Sequence, residues 1–83
     1  MLFRSIGDNV CILPNTVIHH DVSIGKNTLI GAAVVIAGNV KIGQNVYIGS
    51  GTNIINNINI GDLTLVGLGS NVLRDLPDRK SVV

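Results

Sequence analysis

Two adjacent residues in this 83-residue chain, His20 and Asp21, are of the types suited to proton transfer. A histidine takes a proton from an amine or hydroxyl near neutral pH, and a carboxylate beside it fixes its tautomer. The same two residues also fit a merely polar corner, so spacing by itself leaves both readings open. Arg74 and Lys41 can meet phosphates as a fork or a point charge, or simply be solvated. Cys11 is the single cysteine; it has no partner for a disulfide and no basic sequence neighbour to favour a thiolate. A zinc enzyme needs three ligands per ion, and the two adjacent histidines, His19 and His20, do not supply them, so no metal is expected.

What must position these residues is a six-residue repeat. In Ile36-Ala37-Gly38-Asn39-Val40-Lys41-Ile42-Gly43, an aliphatic residue is followed four places later by Val, with a turn-like pair between. In that frame the leading position falls at Ile6, Ile12, Ile18, Ile24, Ile30, Ile36, Ile42, Ile48, Ile54, Ile60, Val66 and Val72 without an insertion. The fifth residue of each hexad, as at Val10, Thr16, Val22 and Thr28, forms an i, i+2 pair with the next leading residue, the alternation of a short strand. The fourth is Asn, Asp or Gly in all hexads but those holding Ala33 and Leu63. These types tolerate positive φ and predict a corner. Ile-Gly recurs at Ile6-Gly7, Ile24-Gly25, Ile42-Gly43 and Ile60-Gly61, so residues 18 apart are stacked. The expected fold is all-β, a parallel β-helix of about four triangular 18-residue coils. Residues 1–5 form an N-terminal cap, 6–77 the repeat domain and 78–83 a short tail. A repeat fold needs no large central core, because each coil buries its apolar side on the next.

The outward residues distinguish three faces. One presents Cys11, Leu13, Leu29, Tyr47 and Leu65, a second Val17, His19, Val35, Ile55 and Leu73, and the third Ser23, Lys41 and Asn59 beside glycines. The corner between the two apolar faces is small and uncharged: Pro14-Asn15, Ala32-Ala33, Ser50-Gly51 and Leu68-Gly69. Such a shape suits copies of itself around an axis, so a homotrimer is expected, with His19 at an interface. The corner between an apolar face and the polar face holds His20-Asp21, Gly38-Asn39, Asn56-Asn57 and Arg74-Asp75, at the rim of the cleft between subunits.

The segment Val17-Ile18-His19-His20-Asp21-Val22-Ser23-Ile24-Gly25, followed by Ala37-Gly38-Asn39-Val40-Lys41-Ile42-Gly43, resembles the hexapeptide-repeat acyltransferases. It is most similar to the branch that acetylates sialic acids or nucleotide-linked amino sugars. The resemblance covers residues 6–77 and implies a left-handed β-helix, since parallel crossovers are otherwise right-handed. It implies acetyl-CoA as acyl donor, a sugar or nucleotide-sugar acceptor, His20 as general base and Asp21 as its acidic partner. Gly38, one coil on, would offer its N–H to the thioester carbonyl. Asn56 and Arg74 continue that column toward the coenzyme. Three features depart from the family. Leu29 stands where many members have a coenzyme-binding histidine. No upstream nucleotide-sugar-binding domain has room here. The chain also stops at Val83, before the family's Gly-x-Pro-Ala segment.

The net charge of +1 gives no electrostatic case for nucleic acid or an anionic membrane. No apolar run is long enough to span a bilayer, and a lone cysteine suits a reducing, cytoplasmic setting. Ice binding would need outward Thr columns, whereas Thr16, Thr28, Thr52 and Thr64 hold the inward fifth position. The competing expectation is a non-catalytic trimeric scaffold in which Leu29 marks lost coenzyme binding.

Overall fold

The computed structural model describes residues 3–82. Thirteen short strands follow one another in this order: β1 (Phe3–Ile6), β2 (Cys11–Ile12), β3 (Val17–Ile18), β4 (Val22–Ile24), β5 (Leu29–Ile30), β6 (Val35–Ile36), β7 (Lys41–Ile42), β8 (Tyr47–Ile48), β9 (Asn53–Ile54), β10 (Asn59–Ile60), β11 (Leu65–Val66), β12 (Asn71–Val72) and β13 (Ser81–Val82). Up to β12 every third strand joins the same sheet, and β13 joins the second sheet one strand early. The polar face is β1-β4-β7-β10, the second β13-β11-β8-β5-β2 and the third β12-β9-β6-β3. All pairings are parallel, so the chain is a β-solenoid of about four turns. Strand begins at Phe3 and reappears at Ser81, so sheet pairing reaches past both ends of the hexad frame.

The register follows from the side chains. Ile18 pairs with Ile36 and Ile36 with Ile54, and likewise Ile24 with Ile42 and Ile30 with Ile48, each exactly one coil apart in the stack. Ile30, Ile36 and Ile48 are fully buried, as are Val34, Val40 and Val66 from the fifth and leading positions. Burying one such side chain is worth roughly 1.5–3 kcal/mol, and a slip of one residue would turn every one of them outward. Thr28, Thr52 and Thr64 are buried too, which a hydroxyl tolerates only with a partner. Their hydroxyls donate to the carbonyls of Gly43, Gly67 and Gly61, at 3.0, 3.2 and 2.8 Å.

Corners behave as the fourth-position residues predict. Asn9, Asn15, Asp21, Asn27, Asn39, Asn45 and Asn57 all have φ between 56° and 65°. Ala33 and Leu63, the two residues that break the pattern, adopt the same left-handed conformation at 56° and 58°. The stack imposes the corner even where the side chain disfavours it.

The last coil departs from the expected 18. Leu76 bridges to Ile60 and Val82 pairs with Val66, both at an offset of 16. Leu76 precedes Pro77, and the proline ring keeps its predecessor extended, which favours a strand where the frame expects a continuing hexad. Asp75 is therefore not a left-handed corner; the next corner, Arg79 at φ 59°, stacks on that of Leu63, its N–H donating to the Asp62 carbonyl. The shortened coil is held by carboxylates. Asp75 accepts from the Asn59 N–H at 2.8 Å, and Asp78 from the Asp62 N–H at 2.9 Å.

Candidate active site

His20 and Asp21 form the corner between β3 and β4, where the chain leaves the apolar third sheet for the polar face. Asp21 sits in the left-handed region, which aspartate tolerates better than most residues, and this turns its carboxylate back along the corner. Its Oδ2 lies 3.3 Å from His20 Nδ1. That distance is long for a charge-assisted bond, yet it directs the Nδ1–H toward Asp21 and leaves the Nε2 lone pair free of it. Both side chains are open to solvent, at 62% and 45%.

The ring lies over the next coil. The Asn39 N–H donates to the His20 carbonyl, and the Asn57 N–H to the Gly38 carbonyl, so the corners of His20, Gly38 and Asn56 stack directly. A Cβ added to Gly38 would come within 2.7 Å of both His20 Cε1 and Nε2. Only glycine leaves room for the imidazole here. Gly38 is buried beneath that ring. At a few other corners the amide is taken up by a side chain of the following coil. Ser50 Oγ accepts from the Ala32 N–H and Asp62 from the Gln44 N–H. Gly38 has no side chain to offer His20 in this way. Among the described residues no acceptor pairs with the Gly38 N–H itself.

The other expected residues separate. Asn56 is exposed one coil beyond Gly38. Arg74 follows in the column by sequence, but the shortened coil brings it together with Lys80 around a different hollow of about 380 Å³, with Leu73, Pro77 and Val82. Leu29 lies on β5, in the second sheet between Cys11 and Tyr47, away from the His20 corner of the same chain. His19 is exposed on the third sheet, as its outward position requires.

The structure adds a group that the motif does not single out. Asp21, Ser23, Asn39 and Lys41 line a hollow of about 320 Å³ on the polar side of the His20 corner. Its sequence signal was the 18-residue spacing twice over: Asp21 with Asn39, and Ser23 with Lys41, which pair in register. No cluster of three or more His, Cys, Asp or Glu gathers among the described residues.

Comparison with known proteins comes from repeat and fold. Residues 5–38 match the family described as bacterial transferase hexapeptide (six repeats). No curated protein sequence matches the chain. Among solved structures, Neisseria gonorrhoeae serine acetyltransferase, in complex with serine, shares 30% identity at a TM-score of 0.89 over 94% of this chain and 36% of its own. A variant of GDP-perosamine N-acetyltransferase from Caulobacter crescentus, with CoA and GDP-perosamine, shares 27% at 0.72, over 96% and 48%. Serine acetyltransferase isoform 3 of Entamoeba histolytica, in complex with cysteine, shares the fold at 24% identity and a TM-score of 0.69, over 95% and 32%. This chain thus spans about a third to a half the length of the proteins it matches. In repeat and in fold the chain is thus similar to acetyltransferases built on a hexapeptide-repeat β-solenoid.

Proposed function

We propose that this chain is the catalytic β-solenoid of an acetyltransferase that moves an acetyl group from acetyl-CoA to an amine or hydroxyl. The observation that carries the reading is the His20 ring laid over Gly38, one coil on, beside an N–H that has no acceptor. A thioester donor supplies an activated carbonyl whose oxygen gains negative charge as the carbon is attacked, and a preset amide donor is the group that steadies it. The corner fits such a donor, because glycine keeps it free of side chain. Asp21 holds the Nδ1–H, so Nε2 accepts the proton of the attacking amine or hydroxyl and returns it to the departing thiolate. Among the described residues no serine or cysteine is paired with the base, so transfer is direct.

The chain acts as a homotrimer in this reading. The second and third sheets present Leu13, Tyr47 and Leu65, and Val17, Val35, Ile55 and Leu73, as exposed apolar surface for copies of the chain. The coenzyme then lies in the groove between subunits, where Leu29 of one copy can approach the His20 corner of the next, and Asn56 extends the site along the coils. Sugars and amino acids are the acceptor classes that the similar acetyltransferases suggest, in a reducing compartment such as the cytoplasm. Calorimetric titration of acetyl-CoA into the chain, with its mass in solution measured beforehand, tests the proposal. Saturable binding by a trimer, weakened by Gly38→Ala, is expected. An intact trimer that binds no acetyl-CoA would return the chain to the scaffold reading.

A further inference from the structure

We propose that the hollow beside the His20 corner is the acceptor subsite, and that Lys41 there selects acceptors bearing an anionic group. The inference rests on the acetyltransferase reading and names the substrate class for the same site. Its walls are Asp21, Ser23, Asn39 and Lys41, of which Asp21 also contacts His20 Nδ1. Whatever occupies the hollow therefore touches the group that orients the base.

The hollow is polarised. Asp21 and Asn39 stack at the corner, while Ser23 and Lys41 stack two residues further along, on β4 and β7. Two residues of strand span about 6.6 Å. The end nearest His20 carries the Asp21 carboxylate with the Asn39 amide, and the far end the Lys41 ammonium with the Ser23 hydroxyl. A small acceptor with its amine or hydroxyl at one end and a carboxylate or phosphate at the other matches this polarity. The nucleophile lies at the His20 end. The anion lies on the Lys41 ammonium. At about 320 Å³ the hollow is at the lower limit for a small-molecule site, the scale of an amino acid or a single sugar phosphate. Lys41 is held in place by its strand, since β7 pairs with β4 on one side and β10 on the other.

Two probe pairs, each differing only in the anion, test this by amide-resolved NMR titration of the full chain. They are L-serine against L-serinamide, and glucosamine 6-phosphate against glucosamine. The anionic member of at least one pair is expected to shift the amides of Ser23, Asn39 and Lys41 with saturation, and its neutral counterpart much less. Preference within the serine pair assigns a carboxylate, and within the glucosamine pair a phosphate. Lys41→Gln should weaken the preferred probe roughly five- to tenfold, with Lys41→Arg restoring most of it. Acetyl-CoA affinity, measured on the same variants, should not change. Equal response to charged and neutral probes, or indifference to Lys41→Gln, overturns the proposal. Failure of acetyl-CoA to bind the unaltered chain would instead sink the acetyltransferase reading, whatever the probes do.

Discussion

In the proposed transfer, the contact of His20 that matters most is with Gly38 rather than with Asp21. The Asp21 carboxylate is 3.3 Å from Nδ1 and solvent-exposed, so it orients the ring loosely. The glycine one coil on is what lets the ring settle over the free amide. Gly38→Ala should therefore displace the imidazole and depress transfer strongly, even though the backbone N–H survives; a variant with unaltered kcat/KM would show that the ring need not lie there. His20→Ala should lower the rate by roughly 10²–10⁴, the range for losing a general base, with mass in solution and melting temperature unchanged. A change of assembly or of melting temperature in that variant would make His20 structural. Asp21→Asn keeps a residue that tolerates the left-handed corner, so it isolates the charge, and its cost in kcat should be smaller than that of His20→Ala.

At the scale of the strand and corner, the stack overrules local preference. Leu63 is held at φ 58° although leucine disfavours that region, and its side chain is exposed at 47%, so little burial compensates for the strain. Leu63→Asn should raise stability by about 1 kcal/mol, readable as an upward shift in the melting midpoint. No gain would mean that the exposed leucine is covered in the assembled protein. The twelfth hexad shows the opposite case. There the turn before Leu76-Pro77 is two residues shorter, braced by the carboxylates of Asp75 and Asp78, and no left-handed corner forms until Arg79.

At the scale of the whole molecule, stability is distributed along a column and has no single centre. Ile36 is fully buried with Ile18 below and Ile54 above, so Ile36→Asp would place an unpaired charge between two coils. The cooperative melt should be lost, whereas a melt within a few degrees of the parent would argue against the hexad frame. The first coil is different. Ile6 and Ile12 occupy inward frame positions yet are 40% and 37% exposed, because no coil among the described residues stacks on their outer side. Exposed apolar residues also line the second and third sheets. These are the surfaces on which association would act, and sedimentation or light scattering reads the resulting mass.

The period, the strand alternation, the corners and the polar face were all legible in the sequence, because hexads impose one local rule and 18-residue stacking repeats it. The column of His20, Gly38 and Asn56 followed from the same arithmetic. Three things were decided only in three dimensions. Leu63 and Ala33 take left-handed corners because neighbouring coils hold their backbones there. The last coil loses two residues, because Leu76 before Pro77 pairs with Ile60 more readily than the frame continues. Lys41 joins Asp21 across a shared hollow, because a cavity depends on how two coils lie together and not on the spacing of either alone.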